Sequence, residues 1–276
     1  LQVEHPVTEA LTGLDLVALQ LRMAAGEPLA LRQEDLRFDG HAIEVRLCAE
    51  SPAQGFTPQS GGLAVWQPDE STLRVEHALT SGAEVPLHYD SMIAKLIAHG
   101  PTRDEARQRL LAGLAGTVAL GVATNQHFLQ RCVAHPVFAA GGATTAFIAE
   151  HQDELLAQDK GELDSTVVLA AALLQAGTGQ QPSALAHRMV APLRVELDGV
   201  PHAVQVLRLT SGFYSVALDG DAPVQIALQH LGDGRWRVLR NGVQSSLHLA
   251  HTADRLLLHV SGRAHEVRDI SLAPPD

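Results

Sequence analysis

Two rhythms of apolar and polar residues divide the chain. Up to about residue 157, stretches with helical spacing mix with short alternating stretches. Beyond residue 165 alternation is nearly continuous and is cut at short intervals by turn dipeptides. In the first part, Leu14, Val17 and Leu21 predict a helix over 14–25, closed by Gly26 with Pro28 just beyond. Residues 41–48 predict a strand whose apolar side is Ala42, Ile43, Val45 and Leu47. Further strands are predicted over 63–66, 73–77 and 91–98, separated by Pro68, Gly82 and Pro86. Thr102 caps a helix with Asp104 and Glu105 in its first turn and Arg107 and Arg109 further on, as the helix dipole prefers. Thr124 and Asn125 cap another helix through Ala134, and 145–156 predict a last one.

In the second part, Asp164-Ser165-Thr166 open a helix over 167–175 that is apolar nearly all round, so it must be enclosed on most sides. Turn signals then recur at Asp198-Gly199, Ser211-Gly212, Asp219-Gly220, Asp233-Gly234, Asn241-Gly242, Ala253-Asp254 and Ser261-Gly262. Seven turns separate eight short strands, and short loops imply an antiparallel meander. Eight such strands tend to close and remove their edges. One enclosed helix and eight strands predict a small barrel wrapped around that helix. The fold class is therefore α+β in the first part and an eight-stranded antiparallel β-barrel around a central helix in the second.

The formal net charge of -11, with no basic run, argues against nucleic acid or an anionic membrane as partner. The longest apolar run, 167–174, is far too short to span a bilayer. Fifteen histidines are scattered without metal-site spacing, so no metal ligands are assigned within the chain. Cys48 and Cys132 lie far apart in sequence and fit reduced thiols. No signal peptide is visible in the stretch.

The most informative run is Leu1-Gln2-Val3-Glu4-His5-Pro6-Val7-Thr8-Glu9. On an extended segment Gln2 and Glu4 point to one face while Val3 offers its backbone, and Pro-Val-Thr-Glu then starts a helix. On the residues alone, Glu4 reads as a solvated carboxylate and Arg46 as a member of a structural ion pair on a strand face shared with Glu44 and Cys48. Asp90 reads as a turn or cap residue. His41, His88 and His99 read as ordinary packed or surface residues. Cys48 has no base partner in view and so does not read as a nucleophile.

Several blocks resemble biotin carboxylases in unbroken order. They are 2–9, Thr12-Gly13-Leu14-Asp15-Leu16-Val17, 24–27, Gly40-His41-Ala42-Ile43-Glu44-Val45-Arg46-Leu47-Cys48-Ala49-Glu50, Tyr89-Asp90-Ser91-Met92-Ile93-Ala94-Lys95-Leu96, and 121–125. The resemblance covers residues 1–150 and implies the mixed antiparallel-sheet and helix C-terminal lobe of an ATP-grasp enzyme. It implies Glu4 as the base that deprotonates bicarbonate for attack on ATP, with Gln2, the Val3 backbone and Glu4 holding bicarbonate. It implies Arg46 as the biotin-binding arginine that stabilises the enolate oxygen, with Glu44 either holding its guanidinium or serving as a strand-face partner. Arg74 aligns with a dimer-interface arginine and reads equally as a surface arginine. The chemistry suits these residue types. A base for bicarbonate gains from partial burial, and an enolate needs a cation that keeps its proton, which favours arginine. Ser51, Gly62 and Leu87-His88 depart from the family pattern but touch neither Glu4 nor Arg46.

The resemblance further implies ATP, Mg²⁺ (or Mn²⁺), bicarbonate as substrate, and biotin attached on a domain outside the chain. The family's Glu-x-Asn-x-Arg segment, glycine-rich loop and biotin-bearing Met-Lys-Met motif do not occur here. The chain is therefore expected to be a fragment that begins inside an active site and is inactive alone. Domains are expected at 1–156 (carboxylase C-terminal part), 157–272 (a barrel resembling the subunit-linking domain of acyl-CoA carboxylase α subunits) and 273–276 (start of a Pro-rich linker). Expected partners are a carboxyltransferase β subunit, a biotinyl carrier domain in cis and a carboxylase dimer contact. Local motifs such as His135-Pro136 and Thr144-Thr145-Ala146-Phe147-Ile148 look most like 3-methylcrotonyl-CoA or geranyl-CoA carboxylase α subunits. The compartment expected is a bacterial cytoplasm or a mitochondrial matrix. The competing reading is a non-catalytic tethering module.

Overall fold

The structure is a computed structural model that describes residues 4–157, 159–177, 189–252 and 254–273. They divide into two compact units, 1–117 with 122–156, and 118–121 with 157–276.

The first unit is built on a three-stranded antiparallel sheet in which Met92–Gly100 lies between His41–Cys48 and Arg74–His77. Strand periodicity sorts its faces. Ile43 pairs with Ala98, and Leu96 has Val45 on one side and Val75 on the other. This apolar face packs with Leu110 and Leu114 of helix Arg103–Gly116. Thr102 caps that helix, its hydroxyl accepting the Glu105 N–H at 3.2 Å. Gly113 is required by close approach, because a Cβ there would lie 2.3 Å from the Leu73 side chain.

The opposite face is charged. One row across it reads Arg46, Lys95, Glu76, and the next reads Glu44, Ile97, Arg74. The short helix Pro6–Thr12 lies against His41–Cys48 and Met92–Gly100, and Ile97 is only 2% exposed.

Within the first unit, local elements depart from expectation at four points. The second helix begins at Leu16, because the Asp15 side chain accepts the Ala18 N–H and caps it there. The strand expected over 63–66 is interrupted at buried Leu63. Gly61–Gly62 pair with Glu84–Val85, and Val65–Gln67 forms a separate strand. The helix expected over 145–156 is two, Phe147–Glu150 and Gln152–Leu156. The break at His151 brings Phe147 and Leu155 into one cluster with Phe128 and Cys132. Asn125 flanks helix Gln126–Ala134 without a side-chain cap bond, since its amide is committed elsewhere.

In the second unit eight antiparallel strands, from Val190–Leu197 to Arg263–Asp269, close into a barrel. Closure is made by Val195, Glu196 and Leu197 pairing with Asp269, Arg268 and Val267. The turns use left-handed backbone where the dipeptides ask for it, as at Asn241 (φ 51°) and Gly242 (φ 77°). The helix is longer than expected, Lys160–Gly177, because Asp159 rather than Asp164 caps it through the Gly161 and Glu162 N–H groups. Its run 167–173 is buried with inward residues from every strand, among them Val195, Val206, Val216, Ile226, Val238, Leu247, Leu258 and Val267. An enclosed all-apolar helix thus fills an eight-stranded barrel. Strand Val118–Leu120 lies against Leu256–Val260 and Arg263–Asp269, whose Leu257 and His259 are each 3% exposed. Among the described residues no helix is long and apolar enough to cross a membrane.

Candidate active site

The charged face of the three-stranded sheet organises the candidate chemistry. Arg46 projects from the edge strand, and its Nη2 lies 2.7 Å from Glu4 Oε2. Glu4 stands just before His5, the residue that flanks the start of helix Pro6–Thr12, so helix placement decides where this carboxylate points. Its side chain is 22% exposed and that of Arg46 56%, which leaves the pair open to a small solute. The pair borders a cleft of about 590 Å³ whose wall includes Thr8, Glu44, Arg103 and Phe138. The Arg103 guanidinium lies 4.9 Å from the centre of the Phe138 ring and donates to the Phe138 carbonyl at 2.8 Å.

Glu44 shares the face but does not take Arg46. Among the described residues the ion pair of Arg46 is with Glu4. Burial lifts the Glu44 carboxyl above its ordinary range, against the pull of Lys95 and Arg46 and with the push of Glu4 and Glu76. The strand-face role for Glu44 is therefore the one the geometry carries.

Arg74 reaches Glu9, with Nη2 2.6 Å from Oε2, and also contacts the Glu76 carboxylate. Glu9 Oε1 accepts the Leu16 N–H at 2.9 Å. Burial works against the charge of Glu9, yet the Arg74 and Leu16 hydrogen bonds hold its carboxyl below the usual value. Gln2 and Val3, the other expected bicarbonate positions, lie outside the described residues.

From the residues alone Asn125 was legible as a helix cap. In the fold its Oδ1 accepts the Cys48 N–H at 2.9 Å and its Nδ2 donates to the Arg46 carbonyl at 3.2 Å. It thereby fixes the backbone that carries Arg46. In the sequence it was marked by its pairing with Thr124 before a helix and by the family block 121–125, and neither foretells this role. Lys95, in register with Arg46, was likewise visible only as part of a family block.

The remaining candidates have structural surroundings. Asp90 Oδ1 accepts the Met92 N–H at 2.7 Å and turns the chain into its strand. His99 Nε2 meets the Asp39 carbonyl at 2.8 Å, while His41 and His88 are exposed. Burial, followed by the Glu50 charge, pushes the Cys48 thiol up, and burial pushes Cys132 up to about 11, so neither is an activated thiolate.

His135, His151 and Glu154 bring ligand-type atoms within 4.8 Å of one another. His135 Nδ1 accepts the Val137 N–H at 3.3 Å, which places the ring proton on Nε2, 3.1 Å from Glu154 Oε2. In this arrangement the Glu154 carboxylate ties helix Gln152–Leu156 to His135.

Comparison with known proteins gives a consistent picture. Residues 44–150 match the biotin carboxylase C-terminal domain, and residues 1–32 match the ATP binding domain of the carbamoyl-phosphate synthase L chain. The chain is 42% identical over 173 residues to the mitochondrial methylcrotonoyl-CoA carboxylase subunit alpha of Arabidopsis thaliana, covering 62% of this chain and 24% of that protein. It is 37% identical over 255 residues to the propionyl-CoA carboxylase alpha chain of Ruegeria pomeroyi, covering 84% of this chain and 36% of that one. A solved relative is the biotin carboxylase domain dimer of Hydrogenobacter thermophilus 2-oxoglutarate carboxylase, in complex with MgADP, ADP and bicarbonate. It superposes with a TM-score of 0.55 at 41% identity, covering 58% of this chain and 35% of that chain. The chain spans about a quarter to a third of the length of the curated relatives it matches. Motifs, sheet and matches agree on a biotin carboxylase C-terminal domain over residues 44–150, and the chain is similar to the α subunits of biotin-dependent acyl-CoA carboxylases.

Proposed function

We propose that residues 1–156 are the C-terminal part of a biotin carboxylase, an ATP- and bicarbonate-dependent ligase component of an acyl-CoA carboxylase. The observation that carries this reading is the 2.7 Å pairing of Glu4 with Arg46 at the mouth of the cleft. One carboxylate and one guanidinium, both partly exposed, suit a small planar oxyanion that must lose a proton. As Glu4 takes the bicarbonate proton its charge is neutralised, and Arg46 is released to an anionic oxygen in the same cleft. Arg46 keeps its own proton throughout, as a fixed electrostatic partner must. Biotin, when present, supplies the nucleophilic ureido nitrogen, and Arg46 is the residue that would face its oxygen. The sequence holds no glycine-rich loop followed by lysine, so no step through ATP or its Mg²⁺ is assigned to these residues. In this reading Gln2 and the Val3 backbone complete the bicarbonate contacts.

We further propose that residues 157–272 tether the carboxylase to a carboxyltransferase β subunit, with a biotinyl carrier domain in cis, in a bacterial cytoplasm or a mitochondrial matrix. The match to the propionyl-CoA carboxylase alpha chain covers a larger share of the chain than residues 1–156 can fill, so that likeness continues into the barrel unit. The local motifs favour a methylcrotonyl-CoA or geranyl-CoA substrate, whereas this longer match favours propionyl-CoA. Acyl-CoA choice belongs to the β subunit in either case. The deciding experiment assays the purified holoenzyme for bicarbonate fixation on free biotin and then on a panel of acyl-CoAs. Carboxylation of biotin with selective transfer to one acyl-CoA is expected. Absence of biotin carboxylation, with intact binding to a partner subunit, would establish the tethering module instead.

A further inference from the structure

Helix Pro6–Thr12 has seven residues, too few to hold a direction by its own hydrogen bonds. Its N-terminal flank carries Glu4, yet His5 provides no side-chain cap there. Two contacts tie this segment to the sheet. Glu4 meets Arg46 from one edge strand at 2.7 Å, and Glu9 meets Arg74 from the other edge strand at 2.6 Å. The two arginines sit on adjacent rows of the same sheet face, with Lys95 and Ile97 of the central strand between the edges. The edge strands are separated by two strand spacings, about 9–10 Å. The Glu9 end is the better enclosed, its side chain 11% exposed against 22% for Glu4. Glu9 also holds the Leu16 N–H at 2.9 Å, and its Oε1 lies 3.7 Å from His5 Nε2, next to Glu4. Arg74 also contacts the carboxylate of Glu76 on its own strand.

We propose that Glu9 and Arg74 are positioning residues that pin the far end of this segment and so hold Glu4 at Arg46 in the geometry that accepts the bicarbonate proton. The inference rests on the catalytic reading of Glu4 given above. A two-point attachment across a sheet fixes both the height and the direction of a short helix, whereas the Glu4 contact alone leaves it free to pivot. Proton transfer is sensitive to such displacement, because base and acid must meet at hydrogen-bond distance. Neither Glu9 nor Arg74 needs to touch substrate for this role.

The test has two arms. In the holoenzyme, Glu9→Gln and Arg74→Ala are each expected to lower kcat/KM for bicarbonate by about 10–100-fold, up to the loss that a misplacement of about 1 Å can cause. KM for ATP should stay within about twofold, and the double variant should lose no more than either single one, since both act through one contact. Arg74→Lys should recover part of the loss and covers the case in which Arg74→Ala fails to fold. In the 276-residue chain, amide hydrogen exchange over residues 5–12 should quicken in both single variants while the strand Met92–Gly100 keeps its protection. Wild-type bicarbonate kinetics in the variants, or additive losses in the double variant, would overturn the proposal. So would a fall in oligomer mass that accounts for the whole effect, which would make Arg74 an interface residue. The exchange arm stands apart from the enzymatic reading. Faster exchange with wild-type turnover in Glu4→Gln would sink the base assignment, and unchanged exchange would sink the pinning.

Discussion

Glu4 and Arg46 meet at 2.7 Å although two helices, a short 3-10 turn and most of a strand separate them in sequence. The strand presents the arginine, the flank of helix Pro6–Thr12 presents the carboxylate, and the sheet's charged face supplies the setting. Each residue is common alone. Together they form an ion pair at the mouth of a cleft, and its partners can be separated by substitution.

Glu4→Gln in the holoenzyme is expected to abolish bicarbonate-dependent ATP hydrolysis, since an amide is isosteric but cannot take a proton. A loss of at least two orders of magnitude is the usual range for removing a general base, about 10²–10⁴-fold. Turnover at the wild-type level would remove Glu4 from the mechanism. Arg46→Ala is expected to impair biotin carboxylation more than biotin-independent ATP hydrolysis. Equal losses in both assays would reduce Arg46 to a scaffold for Glu4.

Asn125→Ala should destabilise the first unit by about 1–3 kcal/mol, the cost of leaving a buried polar group without its partner. The Cys48 N–H and the Arg46 carbonyl both lose that partner at once, in a site where Asn125 is 7% exposed. Chemical denaturation monitored by Trp66 fluorescence measures the change. A loss below about half a kcal/mol would mean that water replaces the amide without cost.

Ala171→Leu tests the enclosed helix. Ala170, Ala171 and Ala172 are all 0% exposed inside the barrel, so extra methylenes have no free space to enter. Overpacking of this kind costs about 1–3 kcal/mol. Thermal unfolding of the barrel unit should move to lower temperature, while a substitution at exposed Gln205 should not shift it. An unchanged midpoint would show slack between helix and wall.

The barrel should lose stability in mild acid through His259. Burial, aided by the His248 and His265 charges, lowers this histidine to about 4 from its ordinary 6.5. Between those values the unfolded chain binds a proton that the folded chain refuses, so stability rises with pH across this window. The contribution is complete above about pH 6.5 and is lost as pH falls toward 4, amounting to about 3 kcal/mol if the whole shift is realised. Asp198 adds to the loss at lower pH. Burial opposes its charge, but His265, 2.8 Å away, and the Glu266 N–H hold its carboxyl below the usual range. Denaturation curves at pH 7.5 and 5 should differ in the wild type and converge in His259→Gln. An equal difference in both proteins would place the acid sensitivity elsewhere.

Much of this architecture is legible in the sequence. The barrel turns were visible because Asp-Gly and Asn-Gly dipeptides satisfy left-handed backbone that few other pairs tolerate, and Asn241-Gly242 adopts it at φ 51° and 77°. The enclosed helix was visible because an all-round apolar segment has no other stable place. The strand His41–Cys48 and the cap at Thr102 were visible for the same local reasons. These features are determined within a few residues, so local sequence is enough.

Other features depend on which distant residues come to lie side by side, and only the fold decided them. Asp159 rather than Asp164 caps the central helix, and Leu163 of the added turn packs against the barrel core. Asn125 turned from a helix cap into a brace for the Arg46 strand, since the sheet brought two backbone groups within its reach. Arg74 found Glu9 across the sheet, which no spacing in the chain foretells. The roles proposed for Glu4 and Arg46 came from the motifs. Their distance, their shared cleft and the second anchor that holds them belong to the tertiary structure, because strand register and helix placement are settled by the whole core and not by neighbours in sequence.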